Sequence, residues 1–208
     1  MIGLAKTARG RATRERIVTA ASELISERGV GQTSLDDVID RAGVSKSQLY
    51  HYFEDRASLL RAVVDHNTEA VIGSLGVVDD SWKALRAWLD ALVELQVERE
   101  GRGGCPIGTL VPQLAETDEQ ARLALADGFT RWEDLLRDGL RSMQKAGKLD
   151  RRADPDELAT ATLAAIQGGL MLTQTRRDPS QLAIALDAAY SHLRDHAASP
   201  NRSRASAV

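Results

Sequence analysis

Residues 43–53 read GVSKSQLYHYF, a short segment that places two tyrosines, a histidine and a phenylalanine at four consecutive positions. Phe, Trp and Tyr together make up only 4% of the chain, so this cluster is unusual within the sequence. Gly43 interrupts the helical pattern, and Ser45 with Gln48 three residues later forms the S-x-x-Q capping box of a helix start. The segment therefore predicts a turn followed by a short helix that begins at Ser45.

A second short helix is predicted immediately before this turn, over residues 34–42. Thr33 and Ser34 precede Asp36 and Asp37, a combination typical of a helix N-terminus. Two short helices joined by a turn that contains glycine form the helix-turn-helix arrangement, whose second helix enters the major groove of DNA.

The helical period divides the residues of the second helix between two faces. Leu49 and Phe53, with Tyr52 beside them, fall on a side expected to pack on Ile17, Leu24, Val38 and Val44. Ser47 and His51 fall on the opposite side, and Gln48 and Tyr50 flank it. Spacing alone leaves open whether Tyr50 and His51 contact a partner or are ordinary surface residues.

The rest of the chain has helical apolar spacing almost throughout, with no sustained alternation of the kind that strands show. Further helices are predicted at 12–29, 55–75, 79–100, 106–115, 118–146, 154–175 and 178–196. The fold class expected from this pattern is all-α with about nine helices. The tail at 199–208, SPNRSRASAV, is polar and is expected to be disordered.

Charge and composition limit the kind of protein. Residues 1–16 carry a net charge of +4, whereas residues 57–208 carry −4, so a polyanionic partner is expected near the N-terminus; a solubilising tail is the alternative. No apolar run approaches the roughly 20 residues of a membrane span, and no signal peptide is recognisable. A single cysteine, Cys105, suits the cytoplasm and excludes an internal disulfide framework.

The pattern over residues 13–64 resembles the DNA-binding domain of the TetR family of transcriptional regulators. The resemblance rests on a first helix that ends at Gly29, the AGVS turn at 42–45, Leu49, Tyr50 and Phe53 as LYxxF, and Arg56 followed by Leu59. It implies a basic arm at 1–11, a three-helix DNA-binding domain at 12–56 and a larger helical domain for ligand binding and dimerisation at 57–198. Arg56 stands where the family usually has lysine, which keeps the charge.

The resemblance also assigns roles on double-stranded DNA. Thr33 and Ser34 would bind a phosphate at a helix N-terminus, and Tyr50, His51 and Arg56 would contact further phosphates. Lys46, Ser47 and Gln48, behind the cap Ser45, would reach base edges. Gln48 carries a conflict, because an amide that closes a capping box is not free to read a base; we expect capping in the free protein and base contact in the complex. The basic residues 6–16 would follow the minor groove.

A recognition helix of two turns reads few base pairs, so a homodimer on a palindromic operator is expected. Helices 154–175 and 178–196 would form the dimer interface, unless their apolar faces belong to the core of one chain. The resemblance implies that a small apolar ligand would bind in the helices between, which are rich in large side chains. The candidate lining residues are Trp88, Leu92, Gln96, Leu110, Leu114, Phe129, Trp132, Gln167 and Met171.

The segment GGCPIGTLVPQLAETD at 103–118 resembles the GCPxG segment of the LmrA/YxaF-type branch of the family, some of whose members respond to antibiotics or flavonoids. Pro106 suits the first position of a helix, which would place Cys105 at the N-cap, where the dipole favours a thiolate. A redox or electrophile sensor acting through Cys105 is therefore one alternative to release by a ligand, and control by a protein partner is another.

An enzyme is not expected. The four histidines are scattered, and His192 with His196 is the one i, i+4 pair, without an acidic residue or second thiol at metal-ligand spacing. No catalytic residue, metal site or cofactor is predicted. The function predicted from the sequence is that of a DNA-binding transcriptional regulator, most often a repressor.

Overall fold

The computed structural model describes residues 7–76 and 80–198. Within these ranges the regular structure is helical, apart from one isolated bridge between Leu149 and Ala197. The helices are α1 (Ala8–Arg28), α2 (Leu35–Ala42), α3 (Lys46–Tyr52), α4 (Arg56–Leu75), α5 (Trp82–Glu98), α6 (Val111–Leu114), α7 (Glu119–Lys145), α8 (Pro155–Arg176) and α9 (Ser180–Asp195). The all-α prediction is confirmed, and the tail at 199–208 lies outside the described residues.

The first helix begins earlier than the apolar pattern indicated. Thr7 is its N-cap, because the threonine Oγ1 accepts a hydrogen bond from the backbone N–H of Gly10 at 3.1 Å. The helix ends at Gly29, whose φ of 84° lies in a region that favours glycine. The basic residues from 9 to 16 are therefore helical, so the helix takes in the last residues of the arm that was expected at 1–11, whose first six residues lie outside the described ranges.

The predicted helix at 106–115 is shorter and divided. A 3-10 turn occupies Gly108–Leu110, and α6 adds four residues, with a proline in its first turn. The prediction that Cys105 is the N-cap is wrong, because Ile107 holds that position and makes no side-chain cap bond; the Cys105 Sγ instead accepts a hydrogen bond from the N–H of Gly108 at 3.3 Å. The thiol is buried, with 5% of the residue exposed.

The chain divides into two compact units. The N-terminal unit comprises residues 1–74 and 105–131, and the C-terminal unit comprises residues 75–104 and 132–208. This division differs from the domain limits expected from the sequence, which placed the boundary near residue 56. The DNA-binding helices share their compact unit with α4, α6 and the first half of α7.

Buried apolar side chains hold the first three helices of the N-terminal unit together. The side chains on its buried faces include Ile17, Leu24, Val38, Val44, Leu49, Phe53 and Val63. Ion pairs join α2 to α1, with Arg41 lying 3.1 Å from Glu27 and 3.5 Å from Glu23. These pairs are exposed, so burial of the apolar side chains supplies most of the stabilisation.

In the C-terminal unit, α8 and α9 pack closely. Gly169 permits this approach, because a Cβ atom at that position would lie 2.7 Å from Leu182 Cδ1 and 3.1 Å from Leu182 Cα. The buried Thr173 Oγ1 accepts a hydrogen bond from the N–H of Leu182 at 3.1 Å. On its other side α9 holds α5, through Arg86 at 2.6 Å from Asp187 and Tyr190 Oη donating to the Trp82 carbonyl at 3.1 Å.

No helix among the described residues is long and apolar enough to cross a membrane.

The close packing of α8 on α9 makes a prediction about Gly169. Gly169→Ala should lower the free energy of unfolding by about 1–2 kcal/mol, because the clash with Leu182 exceeds the gain in helix propensity. Gly73→Ala on α4 is the control, since a Cβ there meets nothing within 4 Å. It should be neutral or stabilising. Urea unfolding measures both variants, and equal stability for the two would contradict the steric account.

Candidate nucleic-acid interface

The structure builds the predicted helix-turn-helix from two complete capping boxes. At α2, Ser34 Oγ accepts from the N–H of Asp37 at 3.1 Å and Asp37 Oδ2 accepts from the N–H of Ser34 at 2.9 Å. At α3, Ser45 and Gln48 repeat the arrangement at 3.2 and 2.8 Å. Between the helices Gly43 adopts the left-handed conformation, with φ 62° and ψ 44°, so the turn favours glycine.

The two faces of α3 lie as the wheel predicted. Leu49 and Phe53 are buried, at 0% and 2% exposure, and hold the helix against the core. Ser47 and His51 lie opposite them, and these two residues are exposed together with Ser45, Lys46, Gln48 and Tyr50. We call these six residues the recognition face. Tyr52 is half-buried between the two faces, with its ring edge-to-face with that of His51 at 4.9 Å.

Two residues of the recognition face, Ser45 and Gln48, have side chains engaged in the capping box, and the conflict over base reading concerns that of Gln48. Its Oε1 accepts the N–H of Ser45, as expected for the free protein. A bidentate contact with adenine needs both the amide oxygen and the amide nitrogen. Such a contact therefore requires the capping bond to break first.

Thr33 departs from its expected role as a phosphate ligand. The residue is only 6% exposed, its hydroxyl donates to the Gly29 carbonyl at 2.9 Å, and its N–H donates to the Val30 carbonyl at 3.3 Å. Both donors stabilise the turn between α1 and α2. A buried threonine that bonds within its own turn is a structural residue.

Ser34 is exposed, but Asp37 occupies the anion position beside it. Hydrogen bonds from the Ser34 side chain and backbone lower the pKa of Asp37, and Arg28 at 3.5 Å from the carboxylate acts in the same direction. A phosphate would have to displace this carboxylate from the start of α2. The local sequence thus fills its own anion site.

Arg56 also forms hydrogen bonds within the protein. Its guanidinium Nη2 donates to the Val30 carbonyl and, at 3.2 Å, to the Thr33 carbonyl. The side chain ties the start of α4 to the turn that precedes α2. A phosphate contact by Arg56 would use its other N–H donors, because an arginine carries five.

The nine candidate ligand residues divide between the two units. Leu110, Leu114 and Phe129 belong to the N-terminal unit, and the other six belong to the C-terminal unit. Most are buried or half-buried. Met171 is the exception, because 64% of it is exposed on α8, which corrects its assignment to an interior lining.

Three of these candidates carry buried polar atoms that lack a hydrogen-bond partner within the described part of the chain: Gln96 Oε1, Trp132 Nε1 and Gln167 Nε2. All three belong to the C-terminal unit. An unpaired buried polar group costs about 1–3 kcal/mol, so each one calls for an explanation.

The C-terminal unit also contains a surface groove that the sequence did not indicate. It has a volume of 540 Å³ and runs between α5 and α9, lined by Arg86, Asp90, Val93, Glu94, Val97, Glu98, Ala183 and Asp187. Arg86 is paired with Asp90 and Asp187, and these bonds raise its already high pKa. None of the candidate ligand residues lines this groove.

His192 and His196, the i, i+4 histidine pair of the sequence, were weighed as possible metal ligands. The rings of His192 and His196 lie edge-to-face at 5.2 Å. Across residues 7–76 and 80–198, no group of three or more His, Cys, Asp or Glu side chains is placed to hold a metal ion.

Comparison with known proteins agrees with the helix-turn-helix geometry. Residues 17–63 match the bacterial regulatory proteins of the tetR family, and residues 81–188 match the C-terminal domain of LmrA/YxaF-like transcriptional regulators. An uncharacterized HTH-type transcriptional regulator of Mycobacterium tuberculosis is 32% identical over 175 residues, which cover 81% of this chain and 88% of that protein. The HTH-type transcriptional regulator LmrA of Bacillus subtilis is 25% identical over 82% of this chain and 90% of its own length.

Solved structures share the fold at lower identity. A TetR transcriptional regulator from Chloroflexus aurantiacus superposes with a TM-score of 0.77 at 22% identity, covering 92% of this chain and 98% of that one. The reduced form of E. coli NemR gives 0.74 at 21% identity, covering 91% and 100%.

These matches include both units, and their relatives are regulators rather than enzymes. The recognition face lies where a helix-turn-helix presents its DNA-reading residues, and the GCPxG segment lies within the region that matches LmrA/YxaF. The chain therefore belongs to the TetR family of DNA-binding transcriptional regulators, in its LmrA/YxaF-like branch.

Proposed function

We propose that this regulator is a homodimeric cytoplasmic repressor that binds a palindromic operator and leaves it when a small, largely apolar effector binds the C-terminal unit. The observation that carries the DNA-reading part is the recognition face itself. Five polar or aromatic side chains stand exposed on α3 and Ser45 is exposed at its N-cap, while Leu49 and Phe53 are buried. Such a face can enter a major groove without disturbing the core.

The residues of this face divide by chemistry. Lys46 and Ser47 have free donors of the kind that reach base edges, and lysine favours guanine. Tyr50, 45% exposed, and His51 lie one turn further along and suit phosphate oxygens. Arg9, Arg11 and Arg16, exposed on the first turns of α1, add charge that strengthens binding to any DNA.

Lys46→Ala tests the base-reading role. A site is first selected by the wild-type protein from a library of random DNA duplexes. Loss of a base contact should then raise the Kd for that site by roughly five- to 100-fold and relax the base preference at one position of each half-site. Fluorescence anisotropy and repeated selection measure the two effects. Lys145→Ala, an exposed lysine at the end of α7, is the control. An unchanged base preference would show that Lys46 contacts only the backbone.

The dimer is supported by apolar side chains that one chain leaves uncovered. Met171 and Ile184 are each 64% exposed, and Leu172 is 42% exposed, on the two helices that were predicted to form the interface. Large apolar residues gathered on one helix pair indicate a contact surface. A two-fold dimer through α8 and α9 covers this surface in both chains and matches a palindromic site.

Ile184→Glu tests the dimer, because it places a charge within the proposed interface. The variant should sediment as a monomer at micromolar concentration, and its Kd for the selected site should rise at least tenfold. The selected site itself should be an inverted repeat. Leu123→Glu makes the same change at another exposed leucine, 46% exposed on α7, and should remain dimeric. Dimeric Ile184→Glu protein would place the interface elsewhere.

The effector is supported by the three unpaired buried atoms. Gln96 Oε1 can accept a hydrogen bond, whereas Trp132 Nε1 and Gln167 Nε2 can donate one. A ligand with both donor and acceptor groups would satisfy atoms that the protein leaves unpaired. Pairing with a ligand, or with ordered water, would remove the cost of leaving them buried.

Gln96→Leu tests this part of the proposal. The variant should unfold at the wild-type temperature or above it, because an unpaired acceptor is removed, and it should stay on the operator when effector is added. A panel of flavonoids and apolar antibiotics, assayed for release of the wild-type protein from DNA, supplies the effector. Gln144→Leu is the matched control, since Gln144 Nε2 donates to the carbonyls of Asp150 and Ala153, both at 3.0 Å. It should lose stability and keep the response. Release of Gln96→Leu at wild-type effector concentration would contradict the role of Gln96.

The redox alternative has less support. Cys105 is buried at 5% exposure, and a sensor thiol has to meet its oxidant. Cys105→Ser should accordingly respond to the effector as the wild type does.

A further inference from the structure

Two side-chain amides join the segment that contains α6 to the helices of the DNA-binding domain. The first is Asn67 on α4, which is 9% exposed. Its Oδ1 accepts a hydrogen bond from Ser22 Oγ on α1 at 2.7 Å, and its Nδ2 donates to the Pro106 carbonyl at 3.1 Å. Asn67 therefore fixes the start of this segment near the middle of α1.

The second amide is that of Gln113 on α6. Its Oε1 accepts the backbone N–H of Val30 at 2.8 Å, and its Nε2 donates to the Thr109 carbonyl at 2.8 Å. An N–H group can only donate and a carbonyl can only accept, so this pair of bonds determines the orientation of the amide. Gln113 thus reaches across 83 positions of sequence to the residue that follows the Gly29 end of α1.

Val30 is held on both of its backbone polar groups. Gln113 binds its N–H, and Arg56, the first residue of α4, donates to its carbonyl and to that of Thr33. Val30 itself is 5% exposed. The turn that leads from α1 into α2 is therefore held from α6 on one side and from α4 on the other.

We propose that Gln113 is a positioning residue for DNA binding, although it lies outside residues 17–63, which match the family's DNA-binding domain. By holding Val30 it fixes the turn from which α2 leaves α1. The recognition face follows α2 after the three-residue connection that begins at Gly43, so its placement depends on that turn. A single hydrogen bond contributes modestly, and loss of this one should weaken DNA binding by roughly three- to tenfold.

Gln113→Met and Gln113→Glu separate this role from ordinary packing. Methionine keeps the length of the side chain and removes the acceptor, whereas glutamate keeps an acceptor for Val30. Gln144→Met is the matched control, because it removes a comparable glutamine bridge between backbone carbonyls in the C-terminal unit. Full-length proteins are compared on a 30-base-pair duplex that carries the site selected by the wild type, or on random-sequence duplex at low salt if no site is selected. Amide hydrogen exchange of Val30, followed by NMR, reports on the bond directly.

We expect Gln113→Met to exchange the Val30 amide faster and to raise the Kd three- to tenfold, with Gln113→Glu closer to wild type in both measurements. Gln144→Met should leave the Kd unchanged. Three results would each overturn the proposal. Gln113→Met could bind DNA with the wild-type Kd, or Gln144→Met could lose as much affinity as Gln113→Met. The third is a Gln113→Glu variant that protects the Val30 amide from exchange and still binds DNA as weakly as Gln113→Met. Whether the wild-type protein binds the selected site tests the proposed operator. The ratio of the Kd values of variant and wild type tests the role of Gln113, so the two proposals can fail separately.

Discussion

Burial of Leu49 and Phe53 beneath α3 is the constraint on which the DNA-reading surface depends. A helix of seven residues, Lys46–Tyr52, has too few internal hydrogen bonds to be stable alone. Its conformation comes from the two buried side chains and from the capping box at Ser45. Because these contacts lie on one side and at one end, the exposed side is left free to carry polar residues.

Near α3, three residues that were expected to contact DNA form hydrogen bonds within the protein instead. Thr33, Ser34 and Arg56 all have donors suited to phosphate, and each of them bonds within the protein. The free part of the surface is accordingly narrower than the sequence indicated. Within the described residues it comprises the recognition face and the exposed arginines at the start of α1.

Local sequence was enough to predict most of the helices, the glycine turn and the two faces of α3, because capping residues and apolar period act over a few residues. The hydrogen bonds of Thr33 and Arg56 could not be predicted in this way, since the backbone carbonyls that accept them are brought close only in the folded turn. The extent of the N-terminal unit was missed for the same reason. Asn67 and Gln113 join segments far apart in sequence, and nothing in their immediate neighbours identifies them. Met171 fits a helical apolar pattern equally well as a core residue or as an exposed one.

The early start of α1 has a consequence for the energetics of binding. Arg9 and Arg11 lie in the first turn of a helix that has no acidic residue there, at the end where the peptide dipoles are already positive. The free protein therefore carries an unfavourable electrostatic interaction that an anion would relieve. Phosphates placed near this end would stabilise the helix as well as attract the arginine side chains. Because the backbone there is already helical before contact, little conformational entropy is lost on binding. By reciprocity, the N-terminal turns of α1 should be most stable when DNA is bound.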